Sequence, residues 1–506
     1  MRGRLFALLL ACSATAAATT RQPAVAGAFY TSDAQRLRQQ VTTLLAAEAA
    51  PERPAAAVVV PHAGYVYSGA TAAKAFKCLA GRDVRRVILL GPSHHMGYGG
   101  GALPARDISA FATPLGEVPV DREALKKLRA HDEFQGPADA HGPEHSLEVE
   151  LPFLQLLLPE ARIVPVLVGF DTDRQLCRRM AEHIAPLLDA HTVVVVSSDF
   201  THHGSRYRYA PFAGDPELGD TLVALGRATA ERLAALDATG YWYQVEVSGD
   251  TVCGRRPLAV MAELLDGAFA GSGRVIDVTT SGHVSGDWQL SVTYVAAAFE
   301  GSWHSWRAPD EAPELASLDH DQGQALVELA RATMLSHLRH GADLAKWFAD
   351  HPSERDFGAL AGSFVTLHNL GARARREGRL RACMGVIEAE QPLVDALIRA
   401  AVTTVYDPRF PQVTAEELPD LELEVSVLSP TRAVAGPAAI RVGTHGVVLS
   451  KGRQRAVFLP QVATEQGWDR DTMLGRLALK AGLAEDEWRS GARFEVFTAQ
   501  VFTEER

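Results

Sequence analysis

From about Arg21 to Glu300 the chain alternates short, nearly all-apolar runs with stretches of helical period. The runs "AAAVVVPH", "RRVILLGPSHH", "ARIVPVLVGF" and "HTVVVVSSDF" have strand length and no polar alternation. Strands that are apolar on both faces belong to sheets covered on both sides. Between them, "DAQRLRQQVTTLLAAEAA" and "LCRRMAEHIAPLLDA" read as helices, and "DWQLSVTYVAAAF" reads as a last strand. The fold class expected here is α/β, with a mostly parallel central sheet and helices on both faces. The pattern then breaks. Glu300–Gly323 is polar, has two prolines and lacks periodicity, as an interdomain linker would. Beyond it, "QALVELARATMLSHL" reads as a helix. "GSFVTLHNL", "LELEVSVLSP", "GVVLS" and "RAVFLP" read as strands, and "AEELPD" and "DTMLGRLALKAGL" as helical. This second part is of the α+β class. The expected division is an extension over 1–20, a first domain over 21–300, a linker over 301–322 and a second domain over 323–506. A chain of 506 residues is long enough for two or three cores.

The ends of the buried strands carry the candidate chemistry. In open α/β sheets, ligands bind beyond the carboxyl ends of the strands. Three such ends lead into histidines: His62, then His94 or His95, then His202 or His203, with Asp199 just before the last pair. Adjacent strands would bring these side chains to one edge of the sheet. A neutral imidazole serves both as metal ligand and as general base. His141, Glu144 and His145 lie in a loop before an apolar helical run that Pro152 kinks or restarts. Glu144 there fits a helix cap, while His145 is within reach of the same pocket. Cys253 precedes Gly254 and opens a helical pattern, where backbone N–H groups suit a thiolate to nucleophile or metal-ligand duty. Cys78 and Cys177 lie inside helical patterns and read as structural thiols.

Composition narrows the class. Apolar residues are 47% and charged residues 22%, which makes the chain globular. The formal charge of −11 is spread out with no long basic run, against a nucleic-acid surface. Five cysteines, odd in number and unevenly spaced, argue against a disulfide framework and for a reducing compartment, hence the cytoplasm. Residues 1–20 point the other way. Arg2 and Arg4, a short apolar run and Ala14, Ala16 and Ala18 have the order of a secretory signal, and "LLAC" up to Cys12 fits a lipoprotein site. Export or lipid anchoring through that segment therefore stays open beside a disordered extension. No later run has the length of a transmembrane helix.

Taken together, "VAGAFYTSD", "PHAGYVYSG", "LLGPSHH", "TPLGEVPVD", "EHSLEVELPFLQ", "SSDFTHHGSRYRY" and "TVCGRRP" resemble the Memo family, in order, from about Arg21 to Glu300. Memo proteins look like the class III extradiol (LigB-like) dioxygenases in fold. The resemblance implies iron, as Fe(II), or copper at a His/His/Cys site. By motif the ligands are His62, His94 and Cys253, and Asp199, His202 and His145 line the site as catalytic groups. Ring-cleaving extradiol enzymes use two histidines and a carboxylate. The cysteine here departs from that pattern and puts the extradiol reaction itself in doubt. The second half, "FVTLHNLG", "LRACMG", "DPRFPQVTAEELPDLELEVSVLSP", "VGTHGVVL" and "LPQVATEQGWD", resembles the AMMECR family over about 321–505. Its typical Leu-Arg-Gly-Cys-Ile-Gly stretch here has Ala382 and Met384. Arg381, Cys383, His368 and His445 are its candidate site residues. The fusion implies a radical-SAM protein as partner. The expected activity is a metal-dependent oxidoreductase acting on a small molecule or peptide. The alternatives are iron or copper handling without turnover, and a peptide- or protein-binding scaffold.

Overall fold

The computed structural model describes residues 19–49, 51, 53–307, 315–351 and 357–505. The signal-like segment up to residue 18, Cys12 included, and linker residues 308–314 lie outside the described residues. The chain forms two compact units: 1–238 with 251–307, and 239–250 with 308–506.

The strands of the first unit are, in chain order, Thr19–Arg21 (β1), Ala57–Val60 (β2), Arg86–Pro92 (β3), Gly101–Ala102 (β4), Ile108–Thr113 (β5), Gly116–Pro119 (β6), Arg162–Val168 (β7), Thr192–Ser197 (β8), His202–Gly204 (β9), Phe269–Thr280 (β10) and Leu290–Trp303 (β11). The main sheet runs β10-β11-β2-β8-β3-β7-β4, with β9 on β11. The four expected buried runs become β2, β3, β7 and β8, which are mutually parallel neighbours. Val58–Val60 and Val193–Val196 are fully buried; each such valine contributes roughly 1.5–2 kcal/mol. The sheet as a whole is mixed rather than mostly parallel, since β4, β9, β10 and β11 all pair antiparallel. An apolar run records burial but not direction, which is why the sequence reading missed this. Helices cover both faces. On β10, Asp277 meets Thr71 and Lys74 of helix Tyr65–Lys77, while the next residue, Val278, lies under Gly226 of helix Leu218–Ala234. A small second sheet, β1-β5-β6, carries the chain's entry. Its strands are short and mix polar with small apolar residues, so the search for long apolar runs did not mark them.

Three further expectations shift. β11 extends through Trp303, so the linker starts later than Glu300. "AEELPD" forms only the short turn Leu418–Asp420, since Pro419 cannot supply a backbone donor. Pro152 sits in the first turn of helix Leu151–Leu157, where its missing N–H costs nothing, and so starts that helix.

Among the described residues, the second unit has two four-stranded sheets. Its strands are Gly362–Asn369 (β12), Leu380–Val386 (β13), Leu421–Leu428 (β14), Arg432–Val434 (β15), Gly446–Lys451 (β16), Gln454–Phe458 (β17), Arg493–Phe497 (β18) and Ala499–Thr503 (β19). They pair as β13-β12-β14-β19 and β15-β18-β16-β17. Helices His320–Arg339 and Leu393–Thr404 pack on the first sheet. The helix Ala238–Ser248, drawn from between two stretches of the first unit, belongs to this unit too: Gln244 bonds Gly341 and Ala345, and Val247 joins the same core.

Candidate metal centre

The three strand ends are adjacent because β2, β8 and β3 are adjacent and parallel. His62 follows β2 by two residues, His94 follows β3 by two, and Asp199 follows β8 by two. Two glycines let the remaining groups close in. A side chain at Gly91 would stand 2.6 Å from Leu147 and 2.8 Å from Ser146, so only glycine lets the loop bearing His145 lie against β3. A side chain at Gly254 would stand 2.4 Å from Ser198, so the turn carrying Cys253 rests directly on the end of β8.

The ligand atoms of His62, His94 and His145 all lie within 4.8 Å of one another, and the Cys253 Sγ is 3.2 Å from His62 Nε2. The donor set is therefore three imidazoles and a thiol. His145, read from sequence as a group lining the site, stands among the nitrogens themselves.

Each imidazole is backed by an acceptor. His94 Nδ1 donates to Glu144 Oε1 at 2.9 Å, and the His94 backbone N–H donates to Oε2. The same Oε1 takes the backbone N–H groups of His145 and Ser146 and stands 3.3 Å from His145 Nδ1. Burial pushes the Glu144 carboxyl up, but the His94 bond and these N–H groups outweigh it and hold it well below the usual carboxylate range. His62 Nδ1 meets Ser197 Oγ at 2.7 Å, which in turn contacts Ser146 O and Glu150 Oε1. Burial raises the Glu150 carboxyl well above its ordinary value, and the single Ser197 proton has Ser146 O and Glu150 Oε1 to serve, so the serine oxygen is left to accept from His62 Nδ1. With Nδ1 protonated in this way, His62 and His94 keep Nε2 as the free lone pair, the usual arrangement for a metal-binding histidine.

Burial also disfavours the charged form of two of these imidazoles. It drives His62 well below its ordinary value, with His94 and His145 adding to the effect, and His145 down to about 4. His202 Nδ1 donates towards Phe200 O at 2.8 Å and Thr251 O at 3.1 Å, and burial lowers it as well. Asp199 Oδ1 accepts the His62 backbone N–H at 2.9 Å, and burial lifts this carboxyl to about 7. Burial, then the Asp199 charge, raises the Cys253 thiol well above its ordinary value. A thiol in that position becomes a thiolate when a cation binds it.

The paired candidates are placed differently. The His94 ring lies 4.8 Å from that of His145 and its Nδ1 is held by Glu144, whereas the His95 ring lies 6.5 Å from that of His145. On β9, His202 and His203 face opposite ways, as successive strand residues must, and His203 is buried against Phe212. His141 donates its Nε2 proton to Ala102 O and is structural. Ser197, Glu150 and the carboxylate role of Glu144 escaped the sequence reading. The available signal was a run of acids inside an apolar stretch, "EHSLEVELPFL", where ionisable groups must be buried with partners.

The second-unit candidates are arranged differently. Arg381 is buried and saturated: it forks onto Glu417 and donates to Pro411 O and Gln412 O. Cys383 accepts the Thr366 hydroxyl at 3.2 Å, and its backbone N–H goes to Asp407. His368 stands 3.6 Å from Glu424. His445 accepts the Arg441 backbone N–H within its own loop. Among the described residues, no metal-ligand cluster forms in this unit.

The Memo-like protein family model matches residues 21–298, more than half the chain, and the AMMECR1 model matches 327–502. The chain belongs to the Memo family. Its first unit thus has the LigB-like fold that relates Memo proteins to the extradiol dioxygenases. It is similar to the MEMO1 family protein MK0963 of Methanopyrus kandleri, 36% identical over 294 residues, 55% of this chain and 98% of that one. It is 31% identical to Protein MEMO1 of Homo sapiens over 250 residues, 48% of this chain and 82% of the human one. A protein of Methanothermobacter thermautotrophicus is 40% identical over 198 residues, 38% of this chain and 98% of its own. Among the described residues, no helix is long and apolar enough to cross a membrane.

Proposed function

We propose that the Memo unit is a metal-dependent oxidoreductase site in which His62, His94 and Cys253 hold iron or copper and His145 stands beside them. The observation that supports this most is the convergence of three imidazoles and one thiol beyond the carboxyl ends of the parallel strands, with His62 and His94 each held at Nδ1 by a neighbouring side chain. A bound iron or copper ion would supply electron transfer and Lewis acidity. The chain's own groups would handle protons around it. His202, with Nδ1 committed to two carbonyls, presents Nε2 as a base. Asp199, lifted to about 7, holds or gives up a proton near neutrality. The fusion with an AMMECR1 region supports a radical-SAM protein as partner, and the free Cys253 thiol supports a reducing compartment.

The test is oxygen uptake by metal-loaded protein with catechols and with a thiol reductant. Wild type should exceed free metal ion, and His202→Ala at equal metal loading should fall by about 10²-fold or more. Uptake no greater than that of free metal ion would replace this reading with metal handling. Loss of metal from His202→Ala would make His202 a ligand.

A further inference from the structure

We infer that Arg21 is the positioning residue of the histidine site: it clamps the loop that supplies both His145 and the carboxylate behind His94. The inference rests on the metal-site reading above. Arg21 ends β1 and is 6% exposed. Its guanidinium reaches four points on one loop. Nε donates to His141 O at 3.0 Å, Nη2 to Gly142 O at 3.3 Å and to Glu144 O, and Nη1 to the Glu148 carboxylate. The loop's carbonyls thus converge on a single cation, and Glu144 and His145 lie between its attachment points.

The clamp is reciprocal. Glu148 accepts the backbone N–H groups of Ala24 and Val25 at 2.6 and 3.0 Å and the Tyr30 hydroxyl at 2.6 Å. Segment Thr19–Tyr30 is therefore fastened to the loop from both sides. It also reaches the site itself, because the Phe29 ring packs 4.7 Å from that of His145. None of these groups is a proposed ligand. Their geometry fixes where His145 stands and where Glu144 meets His94.

Only a planar fork can serve four acceptors at these angles; an ammonium is a point charge with three donors. Arg21→Lys therefore keeps the charge beside Glu148, and with it the docked segment, but releases most of the loop carbonyls. Groups that orient ligands from outside the ligand set change metal affinity about 10- to 100-fold when lost. The experiment titrates ferrous iron anaerobically against a competing chelator. It compares wild type, Arg21→Lys, Glu148→Gln and the control Arg86→Lys. Arg86 makes a similar fork, to Asp121 and Leu187 O, but at the opposite end of β3 from the site. Hydrogen exchange of segment 141–149 is read on the same metal-free proteins. We expect about tenfold weaker iron binding and faster exchange in Arg21→Lys and Glu148→Gln, with neither change in Arg86→Lys. Unchanged exchange over 141–149 in both clamp variants overturns the clamp, as does an equal loss of affinity in Arg86→Lys. Wild type that binds no iron would sink the metal reading alone, because exchange still judges the clamp. Should Arg21→Lys not fold, Glu148→Gln decides.

Discussion

The two units carry similar chemistry in sequence, histidines and a cysteine near strand ends, and treat it in opposite ways. In the first, ligand atoms from four separate segments converge, and Nδ1 of His62 and of His94 is held by Ser197 and Glu144 while the Cys253 thiol lies beside His62 Nε2. In the second, the most conspicuous candidate, Arg381, spends its donors on Glu417 and two carbonyls and acts as a strut. Cys383 is held by Thr366, and His445 serves its own turn. Residue types alone therefore do not make a site. What separates the two units is which atoms are left over once the fold has taken its share.

That contrast can be broken most directly with metal content. His62→Ala, His94→Ala and Cys253→Ala should each leave less than about a tenth of the wild-type metal, since each removes a donor and strands the others. Cys383→Ala should keep all of it. Mass spectrometry of anaerobically purified protein reads both, and equal losses would erase the distinction. Arg381→Ala should instead cost about 2–3 kcal/mol of stability, by leaving Pro411 O and Gln412 O without this donor and Glu417 to pair with Arg373. Denaturant melts of the whole chain would show it as an earlier unfolding transition, with metal content unchanged.

A finer prediction concerns pH in the metal-free protein. His145 falls to about 4 in the fold from 6.5, so its contribution is present above 6.5 and lost as pH drops through 4. Asp199 rises to about 7 from 3.8, so its contribution is present below 3.8 and lost as pH climbs through 7. The two slopes oppose each other over nearly the same window. Asp199→Asn removes one of them, and the acid-side loss should steepen by up to about 1.4 kcal/mol per pH unit. Thermal melts from pH 4 to 7.5 would test this; an unchanged slope would mean that Asp199 is ionised throughout. The smallest effect is expected at His445→Ala, about 1 kcal/mol or less with no change in metal, because one backbone donor loses its acceptor.

Much of the first unit was legible because its four parallel strands are buried on both faces and so read as unbroken apolar runs. His62 and Asp199 were legible because they end such runs. The choice of His94 over His95 and of His202 over His203 came from the motif resemblance and not from the apolar pattern, because that pattern does not record which of two adjacent side chains faces the site. Arg21 and Glu148 stayed hidden for another reason. They are 127 residues apart in sequence, and neither has meaning without the other. In the second unit, "AEELPD" read as helical from its composition, and Pro419 limited it to a turn.

The helix Ala238–Ser248 has a practical consequence. The backbone leaves the first unit after Ala238, completes a wall of the second and returns at Thr251. The two units are thus interleaved along the chain and not strung end to end. No single cut can separate them cleanly: cleavage after residue 307 leaves the downstream fragment without Val247 in its core and without the Gln244 amide that caps Ala345 and holds Gly341. The upstream fragment keeps an eleven-residue helix stripped of its neighbours. A gene split at the linker would therefore yield two proteins that each miss what the other carries, so the whole chain is the unit on which chemistry and folding should be measured.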